Sequence, residues 1–205
     1  ASRFAGQKGF DLIEQVAPDL LAEDLTIVAL GAGEPKYEKL FRDLANVYPG
    51  KFSVKVAYDN ALAHKIEAGA DIFLMPSRYE PCGLNQIYSL KYGTVPVVRA
   101  TGGLDDTIES FDPSTGHGTG FKFKAYDGDA LLGAIHQALA TFRNEPAVWR
   151  RIQTNGMSKD FSWEASALQY ARLYEVAWKS SNRKAAATSN LAGAKSARMS
   201  PPASK

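Results

Sequence analysis

Short apolar runs alternate along the chain with longer segments in which apolar residues recur every three or four positions. Unbroken runs of about four to six apolar residues are typical of strands buried on both faces of a parallel sheet, whereas the longer spacing is typical of amphipathic helices. Strands are predicted at residues 25–30, 52–57, 72–75, 95–99 and 119–124. Helices are predicted at residues 10–22, 35–48, 58–68, 127–142, 146–157 and 163–178, with another from about Gly83 and a short one containing Asp105. This alternation predicts an α/β fold, a Rossmann-like, doubly wound parallel sheet.

The turn after the central predicted strand is the main candidate for a binding site. Residues 77–82 form a tight loop at the carboxyl end of that strand, where open α/β sheets bind ligands. Backbone amides at the helix start, Gly83 and Leu84, suit a phosphate group. The Glu80 carboxylate can accept hydrogen bonds from two neighbouring sugar hydroxyls. The loop therefore predicts a nucleotide-sugar site, and the alternative is that Glu80 only caps the helix.

Other turns at predicted strand ends supply further candidate residues. The turn Gly31-Ala32-Gly33 lacks the third small residue of a dinucleotide fingerprint, because Lys36 occupies that position. Its glycines either let the backbone pass close to a ligand or simply form the turn. Tyr58 stacks on a purine in one interpretation and lies at the edge of the core in the other. Thr101 and Gly102 place open amides at the same edge of the sheet.

Two fixed positive charges, Arg3 and Lys8, lie in the loop expected before the first helix. Neighbouring cations can neutralise a diphosphate as a metal ion would. The sequence shows no cluster of carboxylates suited to holding a metal, so neither a metal nor a cofactor is expected. The alternative is that both side chains are ordinary solvated surface charges.

The composition indicates one globular domain. The chain has 205 residues and is 45% hydrophobic, which is enough for one core, and no apolar stretch is long enough to cross a membrane. We therefore expect a cytoplasmic protein with no membrane partner. The single cysteine, Cys82, excludes an intrachain disulfide framework. No histidine lies nearby in the sequence, so Cys82 is a poor candidate for a nucleophile.

Charge is distributed unevenly along the chain. The formal net charge is +2, and residues 180–205 contain five basic and no acidic residues, which leaves −3 for the rest. A slightly acidic body is not a platform for nucleic acid. Residues 180–205 also have few large apolar side chains, so we expect a disordered basic tail after a domain at residues 1–179.

The run SRYEPCGLNQIYSLKYGTVPVVRATGGLDDTI, at residues 77–108, resembles the donor-binding segment of bacterial glycogen synthases and plant starch synthases. These enzymes are retaining glucosyltransferases of glycosyltransferase family 5 and have the GT-B fold, with two facing Rossmann-like domains. The motifs Ser2-Arg3, Gln7-Lys8-Gly9 and Asp160-Phe161-Ser162-Trp163 extend the resemblance over residues 2–178. It covers only the C-terminal half of such an enzyme, so we expect a fragment without the first strand of its domain and without the N-terminal domain.

The resemblance implies transfer of glucose from ADP-glucose, or UDP-glucose in some members, to the non-reducing 4-hydroxyl of an α-1,4-glucan, with retention. Both substrates and the N-terminal domain are thus the expected partners. Arg3 and Lys8 would act on the diphosphate, and Glu80 would orient the glucose. The residues expected to bind the donor are Gly31, Tyr58, Cys82, Gly83, Leu84, Thr101 and Gly102. The isolated chain is expected to bind ADP weakly and to transfer little or no glucose.

Two other functions stay open from the sequence. Sucrose- and trehalose-type glucosyltransferases carry a second glutamate eight residues after the first, and Tyr88 at that position argues against them. A non-catalytic module that binds glucan or nucleotide is the other alternative. The combination of Arg3, Lys8 and Glu80 favours an enzyme, because a scaffold needs no such set.

Overall fold

A computed structural model describes the backbone of residues 1–197 and the side chains of residues 1–182. The chain divides into two units, Ala1–Lys159 and a second that begins at Asp160. In the first unit the strands are β1 (Ile27–Gly31), β2 (Phe52–Val56), β3 (Ile72–Met75), β4 (Val95–Arg99) and β5 (Phe121–Phe123). Its helices are α1 (Phe10–Ala22), α2 (Pro35–Val47), α3 (Asn60–Gly69), α4 (Asn85–Tyr92), α5 (Gly103–Thr107), α6 (Gly128–Asn144) and α7 (Pro146–Met157). The predicted bounds of these elements are confirmed to within two residues.

Polar and proline residues fix where several helices begin. The Asp59 carboxylate accepts a hydrogen bond from the Leu62 N–H at the start of α3, and Asp127 accepts one from Ala130 at the start of α6. Such caps satisfy amides that have no partner inside the helix. Proline occupies the first turn of α2 and of α7, where its missing N–H costs no hydrogen bond.

All strands of the first unit pair in parallel, which confirms the predicted α/β class. They form two sheets, with orders β1-β2 and β3-β4-β5, in place of the single sheet expected. Helix α1 packs on α6, and α3 packs on α4. A groove lies between β1 and β3, so the two strands do not pair with each other.

A cluster of aromatic rings anchors the start of the chain to the core. The Phe4 side chain is only 1% exposed, and its ring lies edge-to-face with Phe10 and Phe41 at centroid distances of 5.5 and 4.8 Å. Burying a side chain of this size stabilises the fold by roughly 1.5–3 kcal/mol. Because Phe4 is fixed in the core, the neighbouring Arg3 has a defined position at the surface.

Strand β1 differs from the sequence prediction in its burial. A strand covered on both faces was expected, but the Val28 side chain is 48% exposed. Ile27 and Ala29 point to the other face and pack against the core. Leu30 lies on the same face as Val28 and is only 3% exposed, so the exposure is confined to the first part of the strand, where Val28 lines the groove.

The second unit contains helix α8 (Trp163–Ala197), which extends well beyond the predicted end at residue 178. Residues 180–197, expected to be disordered, are helical, and residues 198–205 lie outside the described part. The prediction of disorder considered only the lack of burial. This segment is rich in alanine with lysine and arginine, whose helix propensity is high. Among the described residues, no helix combines the length and apolarity needed to span a membrane.

Candidate functional site

The loop after β3 holds Glu80 inside the protein, where the whole residue is 7% exposed. The Ser77 hydroxyl donates a hydrogen bond to Glu80 Oε2 at 3.2 Å. The Glu80 carbonyl accepts one from the Gly103 N–H at 2.8 Å. A β-carbon at position 102 would lie 2.3 Å from that carbonyl oxygen, so Gly102 allows the loop to pack against the start of α5. The loop therefore fixes both the backbone and the carboxylate of Glu80.

Lys8 and Glu80 form an ion pair across 72 residues of sequence. The Lys8 ammonium donates to Glu80 Oε2 at 2.5 Å, and both side chains are largely buried, with exposed fractions of 21% and 9%. A lysine ammonium has three N–H donors, so two remain for another ligand. The pair creates a positively charged donor group held in place by a carboxylate.

Backbone contacts bind the segment that carries Lys8 to the Glu80 loop. Gln7 accepts a hydrogen bond from the Arg78 N–H at 2.8 Å, and its side-chain amide donates to the Tyr79 carbonyl at the same distance. Gly9 has φ of 74°, and a β-carbon there would lie 2.0 Å from the Pro76 carbonyl oxygen. This position requires glycine because both the backbone conformation and the available space exclude a side chain.

A cavity of about 440 Å³ lies beside the ion pair. Its lining includes all three predicted catalytic residues and two of the predicted donor-binding residues: Arg3, Lys8, Glu80, Gly83 and Leu84. Two of the lining charges are positive and one is negative. The cavity adjoins the carboxyl end of β3, the position where open parallel sheets bind ligands. This arrangement suits a ligand with a diphosphate and several hydroxyls.

Electrostatic contacts also fix the segment between Arg3 and Lys8. The Gly6 N–H donates to a carboxylate oxygen of Glu34 at 2.8 Å. The pKa of Glu34 is lowered mainly by this hydrogen bond, and the positive charges of Lys36 and Arg3 lower it further by smaller amounts. Glu34 therefore stays ionised at neutral pH and helps to hold the turn next to Lys8.

Sequence reasoning missed Gln86, which holds the turn at the start of α4. Its side chain is fully buried, and its amide donates to the carbonyls of Cys82 and Gly83 at 2.9 and 3.1 Å and to the Thr107 hydroxyl at 3.2 Å. The available signal was a polar residue three positions after the turn glycine. These hydrogen bonds fix the backbone that presents Gly83 to the cavity.

Arg99, at the end of β4, was also missed. Its guanidinium donates to the Arg78 carbonyl at 3.0 Å and lies over the Tyr126 ring, 5.4 Å from the centroid. The Tyr126 hydroxyl in turn donates to Asp11 at 2.6 Å. Burial and this carboxylate raise the pKa of Tyr126 to about 12, so the hydroxyl stays a donor. Arg99 thereby supports the outer side of the Glu80 loop.

Comparison with known proteins identifies the family. The family described as "Glycosyl transferases group 1" matches residues 1–151. The chain belongs to this family. A glycogen synthase of Koribacter versatilis is 61% identical over 176 residues, which are 86% of this chain and 36% of that protein. A glycogen synthase of Thermotoga petrophila is 53% identical over 176 residues, which are likewise 86% of this chain and 36% of that protein. The resemblance to glycogen synthases is therefore confirmed for this group 1 glycosyl transferase, which spans about a third of the length of these relatives.

Solved structures agree with the family and its GT-B fold. The catalytic domain of starch synthase IV from Arabidopsis thaliana, solved with ADP and acarbose, is 33% identical with a TM-score of 0.75, and the match covers 85% of this chain and 36% of that chain. Sucrose-phosphate synthase from Thermosynechococcus elongatus is 27% identical with a TM-score of 0.62, covering 88% and 45%. The starch synthase is thus more similar than the sucrose-phosphate synthase in both respects.

Several residues predicted to bind the donor in this group 1 glycosyl transferase do not line the cavity. Tyr58 is 92% exposed, and Cys82 is also exposed. Thr101 lies in the turn before α5, outside the cavity lining. Their contacts with a donor stay predictions.

Gly31 has a packing role in the structure. A β-carbon at this position would lie 1.9 Å from the Ser2 carbonyl oxygen and would also overlap the Phe4 ring. Glycine is therefore needed for the segment that carries Arg3 to lie against β1. The structure gives Gly31 and Gly102 this supporting role, and direct binding by either stays a prediction.

Proposed function

We propose that the chain is the donor-binding part of a retaining glucosyltransferase of the glycogen synthase type. The complete enzyme would transfer glucose from ADP-glucose to the non-reducing 4-hydroxyl of an α-1,4-glucan. The observation that carries this proposal is the convergence of Arg3, Lys8 and Glu80 on one cavity. The identity with glycogen synthases and the likeness to a starch synthase solved with ADP support it.

The diphosphate of the donor is assigned to the two cations. The Lys8 ammonium is held by Glu80 and has further N–H groups for phosphate oxygens, and the exposed Arg3 lines the same cavity. When the bond to the sugar breaks, negative charge grows on the leaving diphosphate. Fixed donors aimed at that charge stabilise the transition state, so the pair supplies electrostatic catalysis. The chemistry then requires no metal and no cofactor.

Glu80 is assigned to the glucose. Its Oε2 atom accepts hydrogen bonds from Lys8 and Ser77, so Oε1 is the oxygen left for sugar hydroxyls. One carboxylate would thus connect the group that holds the diphosphate with the group that holds the sugar. This connection positions the bond to be broken relative to both cations.

Binding of the acceptor glucan is assigned mainly to the N-terminal domain of a complete enzyme. The complete enzyme is expected to act in the cytoplasm. Closure of two domains over the donor excludes water and completes such a site. We therefore expect the chain alone to bind nucleotide and to transfer little glucose. Supplying a separately produced N-terminal domain of a glycogen synthase should raise the transfer rate.

Calorimetric titration of the chain with ADP, ADP-glucose, UDP-glucose and a maltooligosaccharide tests this proposal. We expect ADP and ADP-glucose to bind and the oligosaccharide to bind more weakly. A module that only binds glucan would bind the oligosaccharide and ignore the nucleotides, which would contradict the proposal. Rapid glucose transfer by the chain alone would contradict the division of roles between the two domains.

A further inference from the structure

The two cations of the cavity are held in place in different ways. The Lys8 ammonium is fixed by its ion pair with Glu80. Arg3 is exposed, and no ion pair among the described residues holds its side chain. The position of the Arg3 charge therefore depends on the backbone that carries it.

The peptide unit just before Arg3 in the chain is hydrogen-bonded on both sides. The Ser2 N–H donates to the Leu30 carbonyl of β1 at 2.9 Å. The Ala1 carbonyl of the same peptide unit accepts a hydrogen bond from Asn85 Nδ2, also at 2.9 Å. The C=O and N–H of a trans peptide point in opposite directions, so this unit connects β1 on one side with α4 on the other.

The residue after Arg3 fixes the other end of the segment. The Phe4 N–H donates to the Ala32 carbonyl at 3.0 Å, and the Phe4 ring is buried in the core. These contacts tie the segment to β1 and to the core. The Asn85 side chain supplies the contact that ties it to α4, across 84 residues of sequence.

Asn85 is the first residue of α4 and lines the cavity together with Gly83 and Leu84. An asparagine at a helix start commonly accepts a hydrogen bond from the amides of its own helix. In the described part of the chain, no side chain caps the start of α4 in this way. The Asn85 amide group is directed to the Ala1 carbonyl, and the first amides of α4 remain open to a ligand.

We propose that Asn85 is a positioning residue, which sets the place of Arg3 relative to the open amides of α4 so that both bind one diphosphate. This inference rests on the proposed function, in which the cavity holds the diphosphate of the donor. The oxygens of a diphosphate accept hydrogen bonds from several sides at once, so the donors around it must keep fixed spacings. The hydrogen bond from Asn85 joins the two groups of donors at their backbones.

The chemistry of this contact favours a neutral amide at position 85. An aspartate has the same shape but cannot donate to the Ala1 carbonyl when ionised, and its charge would repel a phosphate. A lysine can donate, but it would add a third cation beside Arg3 and Lys8. Asparagine supplies the hydrogen bond without changing the charge of the cavity.

The two cations should therefore respond differently to loss of the Asn85 side chain. Arg3 depends on Asn85 for its position, whereas Lys8 is held by Glu80 and does not. Residues that act through one another show non-additive effects in a double-mutant cycle, and independent residues show additive effects. The inference predicts coupling of Asn85 with Arg3 and additivity of Asn85 with Lys8.

The test is a titration with ADP, followed by NMR at low ionic strength. The Asn85→Ala substitution is introduced into the unsubstituted chain, into Arg3→Ala and into Lys8→Ala. We expect it to weaken ADP binding about fivefold in the unsubstituted chain and again about fivefold in Lys8→Ala. In Arg3→Ala the further loss should be less than about twofold, because the charge that Asn85 positions is already absent.

Asn144→Ala is the matched control, because Asn144 is an exposed asparagine at the end of α6, and its substitution should leave ADP binding unchanged. A purely structural loosening of α4 would weaken ADP binding by the same factor in all three backgrounds, which would overturn the proposal. Unchanged ADP binding by Asn85→Ala in the unsubstituted chain would overturn it as well.

The same titrations with inorganic pyrophosphate separate this inference from the proposed function. If ADP binds to none of the versions while pyrophosphate shows the predicted coupling, the proposed function fails and the role of Asn85 stands. If ADP binds and the effects of Asn85→Ala and Arg3→Ala are additive for both ligands, the reverse holds. If neither ligand binds to the unsubstituted chain, both are overturned.

Discussion

At the scale of single residues, the site depends on an ion pair that brings a lysine and a glutamate from distant parts of the sequence to 2.5 Å. In the proposed function, Lys8 supplies charge for a diphosphate, and Glu80 both positions that charge and offers an oxygen to the sugar. The two functions require different properties of Glu80, its negative charge and its hydrogen-bonding oxygens. Substitutions that separate these properties test the assignment.

Replacing Glu80 with glutamine keeps an oxygen acceptor and removes the charge that holds Lys8. We expect Glu80→Gln to weaken ADP-glucose binding more than ADP binding, because a neutral amide oxygen accepts hydrogen bonds more weakly than a carboxylate and only ADP-glucose carries the sugar. The expected loss for ADP-glucose is about tenfold, measured by calorimetry. An equal loss for both ligands would show that Glu80 acts only through Lys8.

Gly9 allows the Lys8 segment to approach the end of β3 closely. Its φ of 74° and the 2.0 Å approach of a β-carbon to Pro76 predict that Gly9→Ala lowers the free energy of unfolding by about 1–3 kcal/mol. Gly133→Ala is the control, because a β-carbon meets nothing within 4 Å there. Chemical denaturation measures both, and equal stability of the two variants would contradict this role of Gly9.

At the scale of secondary-structure elements, the turns between strands and helices determine the site. Strand β3 and helix α4 are joined by a loop whose backbone is held by Gln86, by the Gly103 amide and by Arg99. The loop thus receives support from α4, α5 and β4 together. The amides at the start of α4 keep their positions relative to Lys8 because of this support.

Removal of the Gln86 amide should loosen the turn. Gln86→Ala leaves the Cys82 and Gly83 carbonyls without this donor, which we expect to lower the free energy of unfolding by about 1–3 kcal/mol and to weaken ADP binding. Gln137→Ala, at an exposed position of α6, is the matched control. Unchanged stability and ADP affinity of the Gln86 variant would show that the turn holds without it.

The elements themselves were largely predictable from the sequence. The bounds of β3 and β4 follow directly from apolar runs that end at proline or a glycine turn. The part of helix α8 after residue 178 was not predicted, because a sequence without an apolar face can still be helical when it is rich in alanine. The pattern of apolar residues predicts which segments pack into the core, whereas the last part of α8 could be predicted only from the high helix propensity of its residues.

At the scale of the whole molecule, parallel strands direct their carboxyl ends to one edge, so residues far apart in sequence meet there. For this reason the sequence predicted that Arg3, Lys8 and Glu80 would lie near one another. It did not predict the Lys8–Glu80 ion pair or the contacts of Gln86, because these depend on side-chain conformations and on the fit between loops. The groove between β1 and β3 likewise depends on strand order, which apolar patterns do not encode.

A chain that begins at Ala1 carries an α-amino group there, and burial of this group makes the stability of that chain depend on pH. Burial lowers its pKa from 8.0 to about 6, opposed in part by Glu67. Between pH 6 and 8 the unfolded chain binds more protons at this group, so the free energy of unfolding should rise with pH, by about 2–3 kcal/mol at most. Denaturation curves of the chain with a free and with an acetylated α-amino group measure this effect, since both forms keep Glu67. Identical pH dependence of the two forms would contradict it.

The central claim is that Lys8, fixed by Glu80, binds the diphosphate of a nucleotide sugar. Calorimetric titration of ADP into the unsubstituted chain, Lys8→Ala and Lys39→Ala tests it most directly, because Lys39 is an exposed lysine in a comparable ion pair on α2. We expect Lys8→Ala to weaken ADP binding about tenfold or more and Lys39→Ala to leave it unchanged. Equal ADP affinity of the Lys8→Ala variant and the unsubstituted chain would contradict the account.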